Sequence, residues 1–397
     1  MKPKECADCG SGAVYHRFSY VTVAIDDVLR PIFTPGPIMR FIAQPFLAAE
    51  RVLTPLMFAL TIKLGLAKKI ETWDDDTILL AQVLWEEGKA RGIEIYEWRL
   101  FNLARNLFVA RFPNGKVIAY EGIPFPPRGD ERAWWMDNKA EMKKRFTKLG
   151  FPVAKGGHAF FENTAHTIYS SITPPVIIKP HSGSGSRHTI LHIDTPEELL
   201  RAFRIAKQVS PLAIIEEELV GPVYRATVVD GVFAASLRRD PPHVIGDGEH
   251  TIEELVAEEN THPARSGPYF SPIQFTPDAL QELAWQDLTP TSIPKKGQRV
   301  TLHQKVNWGL GGTTADTTAE THQDNIQLFE DVAKALKAPI VGIDFIIDDI
   351  AHSWKEQERS GILECNSMPF FDNHHLPFKG EPQNVASRIW SMVEPSK

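Results

Sequence analysis

Residues 176–187 read Val-Ile-Ile-Lys-Pro-His-Ser-Gly-Ser-Gly-Ser-Arg. The apolar run from Val176 to Lys179 predicts a short buried strand that ends in a lysine and opens into a glycine- and serine-rich loop. Glycines let backbone N–H groups converge on an anion, and a lysine adds a point charge suited to phosphate. Two common nucleotide loops are excluded. The GxxxxGK[ST] pattern is missing, and so is the third glycine of GxGxxG. A flexible surface loop is the plain alternative for a Gly-Ser repeat.

Outward from this stretch, helices and hairpins alternate without a regular β-α-β repeat, which predicts an α+β fold. Upstream, residues 137–150 predict a helix capped by Asp137 or Asn138 and stopped by Gly150. Downstream, Thr195-Pro-Glu-Glu198 is a capping box with proline at the first helical position. Residues 212–218 predict a strand. Tyr224–Val229 and Val232–Leu237 predict a hairpin turning on Asp230-Gly231. Thr251 and Glu254 form a second capping box. A helix over 322–336 precedes strands over 340–347 and 362–366, and a last helix runs over 383–392. Before all of these, Asp74, Asp75 and Asp76 predict a helix start, Gly92 its stop, and Asn114-Gly115 a hairpin turn. The proline-rich stretch 124–129 reads as a linker.

The chain has 397 residues, 43 Lys plus Arg and 50 Asp plus Glu, for a net charge of −7. That balance argues against a large basic surface for nucleic acid. Three cysteines exclude a disulfide-rich scaffold. Cys6 and Cys9 have metal-knuckle spacing but no second pair, so a reduced N-terminus is the plain reading. The apolar region 38–66 is broken by Arg40, Glu50, Arg51 and Lys63. Its longest uncharged run, 52–62, falls far short of the roughly 20 residues that span a bilayer. It reads as a helix packing on the domain or on a partner subunit. Basic residues among the apolar ones make attachment of 36–66 to a membrane surface the alternative. No secretory signal is legible, and a cytoplasmic enzyme is the expectation.

Three further clusters could carry chemistry. Asp344 lies near the start of an apolar strand, and Glu364 and Asn366, two apart on another, share one face. Two carboxylates and an amide oxygen suit Mg²⁺ that also meets phosphate. Arg225, Arg238 and Arg239 on the predicted hairpin could clamp a carboxylate or phosphate, or stand as solvated charge. Asn307-Trp-Gly-Leu-Gly-Gly-Thr-Thr314 is a small-residue loop of the kind that approaches a ligand closely.

Taken in order, these segments resemble the ATP-grasp ligases over residues 137–394. The segments are similar to the ATP-grasp portion of cyanophycin synthetase, and more distantly to glutathione synthetase and D-alanine–D-alanine ligase. The resemblance rests on Asp137-Asn-Lys139, "VIIKPHSGSGSRHT" (176–189), "IIEEELVGPVYRATVVDG" (214–231) and "VIGDGEHTIEELV" (244–256). It continues through "NWGLGGTTADTTAETH" (307–322), "VGIDFI" (341–346) and "ILECNSMPFFDNHHLPFKGEPQNVA" (362–386). It implies two α+β subdomains clasping ATP, 131–215 and 216–397. Ahead of them stand a segment, 1–70, and a smaller α/β domain, 71–130.

The resemblance also implies roles. Lys139 and Lys179 would hold the phosphates, and the loop Ser182, Gly183, Ser184, Gly185 and Ser186 would close over them. Glu216, Glu217, Glu218 and Leu219 would form the adenine hinge. Lys179, Arg225 and Arg239 would serve catalysis, while Asp344, Glu364 and Asn366 would hold Mg²⁺ or Mn²⁺. His250 and His374 match positions near the amine side. The implied activity is ATP-dependent joining of a small-molecule acid and amine through an acyl phosphate, by a homo-oligomer. An ATP-binding subunit without ligase activity is the alternative. One departure stands out: Val223 occupies the position where relatives carry a ribose-binding acid, so that ribose would be held by another group such as Glu218, or less tightly.

Overall fold

The computed structural model describes residues 16–33, 53–103, 106–125, 133, 135–136, 139–181, 188–267 and 269–394. Every strand pair in its four sheets is antiparallel, and the fold is α+β as predicted. Cys6, Cys9, residues 126–129 of the predicted linker, Asp137 and Asn138 lie outside the described residues, as does the loop 182–187.

The first sheet is a meander of β1 (Ala67–Ile70), β2 (Glu94–Leu100), β3 (Leu107–Arg111) and β4 (Val117–Glu121). Helix α1 (His16–Phe33) precedes it, and α2 (53–63) places Phe58 against Trp98 on one face of the sheet. Helix α3 (Leu79–Ala90) packs Leu80, Leu84 and Trp85 on the other. That second core continues into Val229, Ile340 and Phe371 and into the last helix, α10 (Val385–Val393). Trp390 of α10 is fully buried and donates its indole N–H to the Leu84 carbonyl at 2.8 Å. The N-terminal sheet thus shares one hydrophobic core with the chain's final helix.

The acidic triplet departs from expectation. Helix α3 starts at Leu79, after Asp74–Asp76. Arg99 is buried on β2 beside Glu97 and donates to both oxygens of Asp74, at 2.8 and 2.6 Å. Those bonds hold Asp74 down at about 2, below the usual carboxylate range. A buried guanidinium needs a second acceptor more than a helix end needs a dipole partner.

Two further sheets carry the chemistry-bearing segments. One runs β5 (Gly156–Ala159), β8 (Ala213–Glu217), β6 (Val176–Pro180), β7 (Ile190–Ile193). Helices α5 (Glu162–Tyr169) and α6 (Pro196–Ala206) bury Ala165, Leu199 and Phe203 against it. The Thr195 capping box is formed as predicted. The other runs β13 (Thr313–Asp316), β10 (Val232–Asp240), β9 (Val223–Val229), β14 (Ile340–Ile346), β15 (Gly361–Asn366). Helices α4 (Lys139–Leu149) and α9 (Gln323–Leu336) supply Met142, Phe146, Phe329 and Val332 to its core. Asp230 and Gly231 have positive φ, 51° and 76°, so the β9–β10 hairpin turns where predicted. A small ribbon of β11 (His243–Ile245) and β12 (Arg299–Thr301) packs with α7 (Ile252–Glu259) and α8 (Pro277–Trp285) around their own core.

Candidate active site

Lys179 stands on β6 opposite Ile214, while Glu216 on β8 stands opposite Ile177. The two are diagonal neighbours on one face, and Lys179 Nζ donates to Glu216 Oε2 at 2.8 Å. The other oxygen, Oε1, takes Lys143 Nζ. Lys143 lies one turn beyond Lys139 on α4, so both lysines share a helix face. Burial works against the Glu216 charge, but the Lys179 and Lys143 ammoniums outweigh it and hold Glu216 at about 2. The pair is uneven. Lys143 shares a single carboxylate with Lys179, and burial drives it down to about 8. Sequence reasoning missed Lys143; its four-residue spacing from Lys139 was the available signal.

The residues expected to form the hinge divide their contacts. Glu216 turns its side chain toward the lysines. Glu217 accepts the Thr173 N–H at 3.1 Å, and its own N–H donates to the Lys155 carbonyl. Glu218 donates its N–H to the Pro175 carbonyl and accepts the His192 N–H at 2.9 Å. Glu218 is therefore engaged by β7, which counts against its standing in for a ribose-binding acid. Gly221 has φ +113°, and a Cβ there would lie 2.3 Å from the Ile347 carbonyl oxygen, so only glycine fits this turn.

The second half of the site lies on the β9–β14–β15 edge. Asp344 sits mid-strand on β14, rather than near its start as the sequence suggested, opposite Arg225 on one side and Glu364 on the other. Arg225 donates to both Asp344 oxygens, the Nη2–Oδ2 distance being 2.9 Å. Arg239 on β10 adds a longer contact to Oδ2 at 3.3 Å. Burial opposes the Asp344 charge, but the Arg225 guanidinium prevails and holds its carboxyl below the usual range. Glu364 faces Lys139, whose Nζ lies 2.7 Å from Oε2, and Asn366 Nδ2 lies 3.4 Å from Glu364 Oε1. Lys139 therefore bridges the helix that carries Lys143 to the strand that carries Glu364.

Two carboxylates on paired strands with an amide two residues on form a hard-oxygen donor set whose chemistry fits Mg²⁺. Among the described residues, no three His, Cys, Asp or Glu side chains gather into a metal-holding group; the expected set would need the Asn366 amide oxygen as its third donor. Around Arg239 the wall is aromatic. Trp308 lies 5.1 Å from its guanidinium and stacks on Tyr269, which donates to Asp372 Oδ2 at 3.2 Å. Tyr269 and Asp372 were not singled out by sequence.

The remaining candidates separate. Arg238 turns away to Asp240. His250 is exposed and tied to Asp247 within its own loop. His374 is buried, its Nε2 2.8 Å from Thr227 Oγ1, and burial drives it down to about 3, so its imidazole is neutral. No helix among the described residues is long and apolar enough to cross a membrane.

No protein-family profile matches the chain. It is 36% identical over 329 residues, 80% of its length, to the bifunctional glutathione-biosynthesis protein GshAB of Clostridium perfringens. It is 34% identical over 264 residues, 66% of its length, to cyanophycin synthetase of Trichormus variabilis. The chain spans only 41% and 29% of those two relatives. The crystal structure of a bifunctional glutathione synthetase from Pasteurella multocida superimposes with a TM-score of 0.61 at 26% identity. That superposition covers 80% of this chain and 43% of that one. Agreement in sequence and in fold over most of the chain supports one conclusion: this chain belongs to the ATP-grasp superfamily.

Proposed function

We propose that the chain is an ATP-dependent carboxylate–amine ligase. The observation that carries this reading is the 2.7 Å contact between Lys139 and Glu364. It brings a phosphate-type lysine cluster against a hard-oxygen carboxylate set. ATP would lie with its phosphates toward Lys139 and Lys179 and its base toward the 216–219 hinge, with the 182–186 loop over it. Glu364, Asn366 and Asp344 are the residues that would hold Mg²⁺, which neutralises phosphate charge when bound. Mn²⁺ has the same oxygen preference.

A carboxylate is a poor electrophile because oxide is a prohibitive leaving group. In this reading a carboxylate oxygen of the acid attacks the γ-phosphorus of ATP, and ADP leaves. The amine then attacks the acyl carbon and phosphate leaves, so the products are an amide, ADP and phosphate. Arg225 and Arg239 are fixed donors beside the acid and stabilise the charge on the transferred group. The relatives' names point to amino acids or small peptides as substrates. The test is a screen of amino acids and short peptides with hydroxylamine as the trapping amine. The expected result is a hydroxamate formed with stoichiometric ADP. AMP and pyrophosphate in its place would overturn the acyl-phosphate route.

A further inference from the structure

We propose that Lys143 is a third nucleotide-phosphate ligand, oriented together with Lys179 by the single carboxylate of Glu216. The proposal rests on the nucleotide-site reading above and extends it to a residue that reading does not use.

The geometry is specific. Lys143 comes from α4 and Lys179 from β6, yet their ammonium groups converge on the two oxygens of one buried side chain on β8. A structural ion pair needs one lysine per carboxylate. Here two largely buried ammoniums share one carboxylate, so the spot holds an excess of positive charge, while Lys139 on the same helix face is more exposed and has its own carboxylate in Glu364. An excess buried charge is costly unless a counter-charge joins it. The groups facing Lys143 are Glu216 from β8, Lys179 from β6, Lys139 from its own helix and His158 from β5. Of these only Glu216 is an anion. A polyphosphate supplies the missing negative charge.

Glu216 is thereby a positioning residue. Its two oxygens fix the spacing of two flexible four-carbon side chains before any ligand arrives, which reduces the ordering cost that free lysines would bring to binding. The arrangement also has a pH signature. The lysine must be protonated to bind phosphate, and burial lowers Lys143 to about 8. Affinity for the polyphosphate must therefore fall as pH rises through this value, approaching tenfold per pH unit.

The experiment is equilibrium binding of ATP and of adenosine to the full chain, in chelator, between about pH 7.5 and 9.5. The variants are Lys143→Ala, Lys143→Arg, Glu216→Gln and Lys179→Ala. Wild type should lose ATP affinity with rising pH while adenosine binding stays level. Lys143→Ala should weaken ATP by about tenfold to a hundredfold and leave adenosine unchanged. Lys143→Arg, always charged, should bind ATP with a flat pH profile. Glu216→Gln should move the fall to lower pH, because the carboxylate that favours the Lys143 charge is gone. Lys179→Ala should weaken ATP but keep the pH dependence.

If Lys143→Ala fails to fold, the wild-type and Lys143→Arg profiles decide alone. A Lys143→Ala variant that binds ATP as wild type does, beside a weakened Lys179→Ala, overturns the proposal and leaves the ligase reading standing. A wild-type pH profile that Lys143→Arg does not flatten overturns it equally. Absence of any ATP binding by wild type sinks the nucleotide-site reading itself.

Discussion

Arg225 and Asp344 are register partners on β9 and β14, and the guanidinium grips both oxygens of the carboxylate. Both side chains are buried. The proposed metal set is therefore built of unequal members. Asp344 is also the counter-ion of a buried arginine, whereas Glu364 is half-buried and faces the more exposed Lys139.

The first prediction follows from that inequality. Asp344→Ala leaves a buried guanidinium unpaired and should cost about 3–5 kcal/mol of stability. Glu364→Gln breaks a partly exposed pair and should cost about 1 kcal/mol or less, yet it should abolish Mg²⁺-dependent ADP release. Urea denaturation of both variants beside a turnover assay checks this. Equal stability losses would mean that Arg225 does not depend on Asp344.

Gly342 gives the second prediction. It lies on β14 beneath the arginine, where an added Cβ would come within 3.1 Å of Arg225 Nη1 and 2.8 Å of Pro369 Cβ. Gly342→Ala should displace the guanidinium and cost about 1–3 kcal/mol through overpacking. Because the methyl group meets Arg225 and not the lysines, kcat should fall with the KM for ATP nearly unchanged. A variant that raises the KM for ATP and spares kcat would place Arg225 in ground-state nucleotide binding.

What the sequence made legible here was local. The Thr195 and Thr251 capping boxes and the Asp230-Gly231 turn are decided by residues within a few positions of one another, and the structure forms all three. Glu364 and Asn366 were readable because a strand has a period of two. The contacts that failed to announce themselves join distant segments. Lys143 meets Glu216 across 73 positions, and Arg99 captures Asp74 across 25. Neither pairing has a periodicity, so the acidic triplet was misread as a helix start and Lys143 was overlooked. Strands β5 and β7 have four residues each, too few for a pattern to stand out.

The third prediction concerns the shared core. Trp390→Ala removes a fully buried indole and the bond it donates to the Leu84 carbonyl. The cost should be about 3–5 kcal/mol. Trp390 meets Phe112 and Tyr120 of the N-terminal sheet region, and its helix packs on α3, so the loss should not stay in the C-terminal helix. Hydrogen exchange should quicken in β2 and β3 as well as in α10. Quickening confined to α10 would mean that the N-terminal sheet stands on its own.

The last prediction is a pH dependence at Asp372. Burial raises this carboxyl to about 6, and the bond from Tyr269 offsets only part of that cost. A raised acid binds its proton more tightly in the native state than in the unfolded chain. Its contribution to stability is therefore fully present below about pH 4 and is lost as pH rises through about 6. Above that range the native state carries a desolvated charge whose Oδ1 has no hydrogen-bond partner among the described residues. Asp372→Asn keeps an oxygen to accept the Tyr269 hydroxyl and removes the charge. It should stabilise the protein at pH 7.5 by at most about 3 kcal/mol, and the gain should vanish near pH 4, where the wild-type carboxyl is itself neutral. The neighbouring His374, driven down to about 3, is unprotonated in the native state across this window, and its titration in the unfolded chain is common to both proteins. Urea midpoints of the two proteins from pH 4 to 8 test it. A difference that stays constant with pH would mean that Asp372 is charged throughout and that burial does not govern it.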